Sequence, residues 1–509
     1  MPSKRILLLA ILALVYGILA ARVATSFASS QGRVPHRNRF GEGSRTFRSL
    51  ASFNGTNGDY PQYGSVLQGF DGNFYGTTYE GGVSTHCFFR EGCGIVFKIT
   101  PRGKLSTVYN FCALPNCADG ANPVAGLVQT SDGNLYGRAF DGGATGLGTV
   151  FKITAQGKLT TIYTFCAQGP PCPNGSGPLG GLMQATDGNF YGTTQSGGAY
   201  FGGTVFKITP QGKLTTLHGF RNRGDGLQPM GVLVQATDGN FYGTTSNGGV
   251  GSNCYNYNEN YCGTVFKITR NGKLTTLYTF CRQLNCADGA SPWAGVIQAN
   301  DGNFYGTTSE GGTPNEGTVF RMTPAGKLTT LHTFCTQGNC PDGGGPIAAL
   351  VQATDGGLYS TTSGGGPLGY GTVFKITPGG TLNTLFSFDS TNGCCPYAGL
   401  TQSTNGMFYS TTAGGGAANE GTIFSFAVGL RPFVEMEPAS GKVGAAVVIL
   451  GNDLTSASSV SFNGTAATFA IVSSTEIKTT VPNGATTGFV MVMTPKKTLK
   501  SNMVFRVAK

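Results

Sequence analysis

Apolar and polar residues alternate along most of this chain in short runs, and the runs recur in groups of four. In one group they are Gly126–Thr130, Leu135–Phe140, Thr149–Thr154 and Lys158–Phe165. Short runs rich in Val, Ile, Tyr, Phe and Thr, bounded by turn residues, predict β-strands. Asp132-Gly133-Asn134 separates the first two runs and Ala155-Gln156-Gly157 the last two. Both place Gly where a tight hairpin needs a positive φ. Each group is therefore predicted to fold as one four-stranded antiparallel sheet.

The groups repeat. The phrase DGNFYGTT begins at Asp71, and versions of it follow at Asp132, Asp187, Asp238, Asp301, Asp355 and, as NGMFYSTT, at Asn405. The spacings are 61, 55, 51, 63, 54 and 50 residues, a period that signals a repeat architecture. Four antiparallel strands per unit, repeated radially, describe a β-propeller blade. The first run, Arg45–Phe53, has the pattern of a fourth strand, and the last unit stops after its third, Thr422–Ala427. One strand, six sets of four and three more make seven blades. The expected fold is all-β: a seven-bladed β-propeller over 45–430, closed by its N-terminal strand so that no open edge remains.

The pattern DGNFYGTTxxGG…GTVFKITPxGKLTTLYTF resembles the GloVer-type tandem repeat of exported bacterial proteins, over residues 45–428. Its DGNxYGTTxxGG portion is also similar to two-component-regulator propeller repeats. The resemblance implies a surface or secreted propeller of unassigned activity; the variable C-terminal anchor of that family has no recognisable counterpart here. Residues 431–509 differ in pattern. Pro438-x-Ser440-Gly441-x-x-Gly444, Val447–Gly451, Val460–Gly464 and Val481–Gly488 mark short strands and turns. They predict an immunoglobulin-like β-sandwich without a core disulfide. The segment resembles IPT/TIG domains, for which an adhesive or spacer role is expected in an exported chain.

Composition refines this picture. Gly is 82 of 509 residues and charged residues are 11%, as in a turn-dense all-β protein rather than a disordered one. The net charge of +10 is unevenly spread: residues 1–48 carry eight Lys/Arg and one Glu, residues 49–430 carry 18 basic and 19 acidic side chains. A nearly neutral body argues against nucleic acid as a partner. Lys4 and Arg5, the apolar run Ile6–Ala21 and Ser26-Phe27-Ala28 read as a signal peptide over 1–28, with 29–44 a flexible leader. No membrane span is expected in the mature chain. The expected location is secreted or cell surface, with the periplasm as the alternative.

All fourteen Cys fall in close pairs. Cys87/Cys93, Cys112/Cys117, Cys166/Cys172, Cys254/Cys262, Cys281/Cys286 and Cys335/Cys340 read as local disulfides in an oxidising compartment. Zinc is the rival reading, but the pairs sit in different repeats. Cys394 and Cys395 are adjacent, and a bridge between neighbours closes a strained ring, so their state stays open.

Candidate chemistry is sparse. Asp at the DGN turn is turn chemistry by its recurrence. Lys98, Lys152, Lys207, Lys267 and Lys375 recur on the third strand and are expected as a solvated ring. Gln68, Gln129, Gln184, Gln235, Gln298, Gln352 and Gln402 recur before each hairpin, and bonding to neighbouring backbone is expected of them. No HExxH, GxSxG or GxxxxGK[ST] motif is present, and acids off the repeat pattern, such as Glu91, Glu259 and Asp389, are not paired in sequence. No catalytic residue, metal or cofactor is assigned.

Two long Cys-bracketed loops stand off the pattern. Phe88, Phe89 and Arg90 lie in one; Tyr255, Asn256, Tyr257, Asn258 and Tyr261 lie in the other. Tyr- and Asn-rich loops of this kind suit recognition. The reading is an exported, non-catalytic binding or cell-surface interaction protein whose disulfide-stapled propeller face meets a glycan or surface protein. The alternative is a polysaccharide-acting hydrolase or lyase at the channel mouth, and a purely structural envelope role is a third. The discriminating observation is whether two carboxylates, or a His and a carboxylate, converge on that face. The sequence leaves the oligomeric state open.

Overall fold

The computed structural model describes residues 46–84, 87, 92–221, 224–250 and 262–508, all within the compact unit Ser44–Lys509. Seven four-stranded antiparallel sheets follow one another along the chain. The second comprises Ala121–Gln129, Leu135–Asp141, Thr149–Ile153 and Leu159–Thr164, and the others repeat its order. The seventh is assembled from both ends of the repeat region. Leading strand Thr46–Ser52 pairs with Thr422–Ala427, from Thr46↔Ala427 to Ser52↔Thr422 with a register shift between Ser49 and Ala51, beside Phe408–Thr412 and Thr401–Gln402. The outer edge of Thr422–Ala427 is thereby paired rather than left open.

Side chains of the second strand decide how sheets stack. Phe and Tyr of the DGNFY phrase are neighbours on a strand, so they point to opposite faces. Tyr191 stacks on Phe241 of the next sheet with ring centroids 4.0 Å apart, and Tyr242 stacks on Phe304 at 4.1 Å. Tyr409 of the seventh sheet meets Phe74 of the first at 3.9 Å. The phrase thus supplies the adhesive between consecutive sheets, and the same contact joins last to first.

The glutamines repeat this logic in hydrogen bonds. Gln129 Oε1 accepts from the Phe70 N–H of the preceding sheet at 2.9 Å, and Gln235, Gln298, Gln352 and Gln402 do likewise from Thr186, Thr237, Asn300 and Thr354. Gln68 accepts from the Thr404 N–H at 2.9 Å, again linking seventh to first. Their Nε2 groups largely return to their own hairpins, as Gln129 does to Gly133 O. The amides are consumed by backbone, as expected of buried polar groups. Inner strands approach so closely that a Cβ at Gly64 would lie 2.6 Å from Ala125 O.

The lysines differ from expectation. They do not form a free solvated ring: Lys98, Lys152, Lys207, Lys267 and Lys375 each pair with the hairpin aspartate of their own sheet, Lys267 Nζ to Asp238 Oδ2 at 2.7 Å. Register explains it, because Lys267 lies directly opposite Tyr242, four residues beyond Asp238.

Residues from Val434 on form two facing sheets. Glu435–Glu437, Ala446–Leu450, Glu476–Thr480 and Phe469–Ile471 make one, and Ser440–Gly441, Thr498–Val507, Gly488–Met493, Ser459–Phe462 and Thr465–Ala467 the other. Val447, Ile449, Val460, Phe462, Ile477, Val490, Val492 and Phe505 fill the space between them. This sandwich touches hairpins of three repeats: Thr475 Oγ1 donates to Phe70 O at 2.7 Å, Asn452 Nδ2 to Thr404 Oγ1 at 2.6 Å and Arg506 Nη1 to Ala236 O at 3.2 Å. Among the described residues, no helix is long and apolar enough to cross a membrane.

Candidate functional site

Each sheet begins with the same local device. The residue before the entering proline adopts a left-handed conformation: Tyr60, Asn122, Gly177, Gln228, Ser291, Gly345 and Cys395 have φ between 53° and 60°. Its N–H reaches back to the previous sheet, as from Tyr60 to Glu420 O and from Cys395 to Tyr370 O. The residue one position earlier bridges to the end of the second strand, giving Asp59↔Glu80, Ala290↔Glu310, Gly344↔Gly364 and Cys394↔Gly414. This collar therefore carries side chains at equivalent places around the repeats.

At the junction of seventh and first sheets the collar holds unusual residues. Asp59, Tyr60, Glu80, Cys394, Cys395, Tyr397, Asn419 and Glu420 line a pocket of about 310 Å³. Asp59 and Glu420 share a side-chain hydrogen bond. Burial pushes the Asp59 carboxyl up to about 8, with the Glu420 bond and repulsion from Glu420 and Glu80 adding to the rise. Asp59 is thus protonated at neutral pH and donates to its neighbour. The Tyr397 ring lies 6.3 Å from that of Tyr63, roughly parallel, and burial raises the Tyr397 hydroxyl pKa.

This convergence was not readable from sequence. Glu420 follows Asp59 by 361 positions, and only the pairing of Thr46–Ser52 with Thr422–Ala427 brings them together. At the fifth-to-sixth junction, Glu316 stands in Glu420's place but Gly344 and Gly364 replace Asp59 and Glu80. A comparison of collar positions junction by junction is the signal that would have singled out this one.

The loop residues expected to recognise a ligand (Phe88, Phe89, Arg90, Tyr255, Asn256, Tyr257, Asn258 and Tyr261) lie outside the described residues. Disulfides join Cys87–Cys93, Cys112–Cys117, Cys166–Cys172, Cys281–Cys286 and Cys335–Cys340. Cys262 is disulfide-bonded, and its expected partner Cys254 lies outside the described residues. Cys394 and Cys395 are free. Cys87, Cys93 and Cys112 gather their sulfurs within 4.8 Å, but all three are crosslinked and offer no thiolate to a metal. A second pocket, about 330 Å³, lies between the Asp71 and Asp132 hairpins and Ser473, Glu476 and Lys478 of the sandwich.

These features define an all-β tandem-repeat protein with a C-terminal sandwich. The chain belongs to the Gloeobacter/Verrucomicrobia repeat family, whose model matches residues 84–283 and 253–451, and residues 433–507 match the IPT/TIG domain. No curated protein matches the sequence. Similar solved structures include the extracellular domain of a one-component system from B. thetaiotaomicron, at 12% identity and a TM-score of 0.47. That match covers 92% of this chain, which spans only 58% of the other. A fungal alcohol oxidase of the AA5 family, in complex with copper, matches at 12% identity and a TM-score of 0.49, covering 92% of this chain and all of that one. Likeness at this level assigns no activity.

Proposed function

We propose that this chain is an exported, non-catalytic binding protein whose seven sheets close as a seven-bladed propeller, and whose disulfide-bearing face meets a glycan or a surface protein. The domains on this reading are a signal peptide (1–28), a leader (29–44), the propeller (45–430) and an IPT/TIG spacer or docking domain (431–509). The observation that carries the ligand reading is the pocket between the seventh and first sheets. Carboxylates and Asn419 beside Tyr60 and Tyr397 offer acceptors, donors and flat apolar rings within one concavity. Hydroxyl-rich ligands are held by that combination. The crosslinked loops support placement in an oxidising compartment.

The hydrolase alternative is weakened by distance. Retaining glycosidases hold their two carboxyls ~5–5.5 Å apart and inverting ones ~6.5–9.5 Å apart, whereas Asp59 and Glu420 are in direct hydrogen-bond contact. A carboxyl protonated at neutral pH is what still favours an acid-catalysed reading. The test is a binding screen of the oxidised chain against envelope polysaccharides, run beside E420Q and a variant with 254–262 shortened to the length of the Thr313–Glu316 link. Loss of binding in E420Q supports the pocket, and loss in the shortened variant supports the loop. Absence of binding by all three removes the glycan reading. Product release from any polysaccharide would favour the hydrolase.

A further inference from the structure

The two free cysteines lie in the same pocket, in a chain whose other described cysteines are all crosslinked. Cys395 Sγ–H donates to Cys394 Sγ at a separation of 3.0 Å. That bond holds the Cys394 thiol below its ordinary pKa against the opposing effect of burial, aided by a backbone hydrogen bond from Gly414. The same bond and burial raise Cys395. Both side chains are partly exposed. The peptide carrying them is clamped: the Cys394 N–H donates to Gly414 O and the Cys395 N–H to Tyr370 O, while the Gly414 and Ala413 N–H groups return to the Cys394 and Cys395 carbonyls.

A sulfur whose ionisation is eased, lying 3.0 Å from a second that is held as thiol, is the arrangement of an attacking and a resolving cysteine. The walls around them add a selection. Glu80 and Glu420 face the same space, with Asp59 protonated between them, and among the described residues no Lys or Arg lines it. Negative walls draw cationic reactants and repel anionic ones.

We propose that Cys394 and Cys395 form a thiol–disulfide exchange site for positively charged disulfides entering this pocket. The Cys394 thiolate attacks one sulfur of the incoming disulfide, forming a mixed disulfide and releasing the first thiolate. That thiolate takes up the proton lost by Cys395, and Cys395 sulfur then attacks Cys394 sulfur, expelling the second thiolate, which takes from solvent the proton that Cys394 released on ionising. Two protein thiols are oxidised by two electrons to the 394–395 bridge, and one disulfide is reduced to two thiols. The site shares a pocket with the proposed glycan reading but not its ligand, so the two fail independently.

The probe is cystamine, a dicationic disulfide, added stoichiometrically to the native chain and followed by alkylation and peptide mapping. In the wild type, the peptide bearing both cysteines should lose both alkylation sites and two hydrogens, retaining no cysteamine. C395S should stop at one cysteamine on Cys394. C394S should react about tenfold more slowly or less, since the thiolate is the nucleophile. Dithiodiglycolate, the dianionic counterpart, should react more slowly than cystamine at low salt, with the difference shrinking as salt screens it. Thermal melts confirm that each serine variant is folded, and the remaining disulfides serve as internal controls. Thiols that stay alkylatable in the wild type, equal rates for C394S and C395S, or a preference for the anionic disulfide would each overturn the proposal. Where the pair is isolated already bridged, excess cysteamine is used to run the reaction backwards, and failure to open the bridge has the same meaning.

Discussion

Asp59 hydrogen-bonds through its side chain to Glu420, a carboxyl contributed by the opposite end of the repeat region. Asp59 binds a proton that the unfolded chain would release near pH 4. The folded pKa of about 8 lies above the ordinary aspartate value of 3.8. The sign follows from linkage: a raised carboxyl pKa leaves stability untouched below about pH 4, erodes it as pH climbs to about 8, and leaves the loss constant above that. D59N keeps the geometry of the protonated carboxyl and removes the titration. The Tm of D59N minus that of the wild type should therefore be near zero at pH 4 and rise steadily to pH 8. Glu420 supplies both a hydrogen bond and a repulsion that raise Asp59, so E420Q should weaken the same slope. A difference that is flat across this range would show that Asp59 is not held in this way.

Asp238 illustrates a different use of carboxylate. Its oxygens accept from the Asn240 backbone and side chain, from the Tyr242 hydroxyl at 2.9 Å and from Lys267 at 2.7 Å. Those partners outweigh burial and hold it at about 2. The lysine is an exposed partner, worth at most ~1 kcal/mol, whereas the turn bonds and the buried Tyr242 hydroxyl depend on the aspartate itself. D238A should destabilise by roughly 1–3 kcal/mol through lost and orphaned hydrogen bonds, and K267M by well under half of that. Urea midpoints of the two variants at pH 7 check the ordering.

The seven four-stranded sheets were legible because the repeat states them seven times and each copy corrects the others. The sandwich was legible from its own turns and alternation. Pairings that depend on cross-strand register were less so: Lys267 looks solvated on a strand plot, and only its position opposite Tyr242 shows that it reaches Asp238. The pocket between seventh and first sheets was illegible for a stronger reason. Asp59, Glu80, Cys394 and Glu420 are each unremarkable deviations within their own repeats, and their meaning lies in meeting at one junction. Pairwise reading of neighbouring repeats, with the last placed beside the first, would have exposed them.

Strand Thr46–Ser52 completes the seventh sheet, where Thr422–Ala427 is almost wholly buried. Deleting residues 46–52 would leave that strand with one unpaired edge and uncover Phe424 and Phe426, which now pack against Phe47 and its neighbours. An open hydrophobic edge invites pairing with other chains. The truncated chain should elute as oligomers on gel filtration, and should lose the single cooperative urea transition expected where the sheets close on one another. A monomeric truncation with an unchanged midpoint would mean that closure contributes little to this fold.

Arg138 occupies the place that Thr77, Thr244, Thr307, Thr361 and Thr411 hold in other sheets, where the hydroxyl donates to a carbonyl of the following inner strand. The guanidinium is fully buried, and only Nη1 finds an acceptor, Thr193 O at 2.7 Å. Nε and Nη2 have no partner among the described residues, and Thr193 Oγ1 is likewise unpaired. Burial alone pushes the Arg138 pKa down to about 9, with no carboxylate among the described residues offsetting it. An isolated buried cation costs stability, and an apolar side chain of similar length avoids that cost. Phe206 lies beneath the guanidinium at 5.9 Å, so the replacement would still have a surface to pack on. R138M should accordingly raise stability by about 1–3 kcal/mol, the penalty of burying unsatisfied polar groups. R138A, which leaves a cavity instead, should gain less or lose. Melting curves for the three proteins decide the matter, and an R138M less stable than the wild type would mean that the guanidinium has a counter-ion or bound water between the second and third sheets.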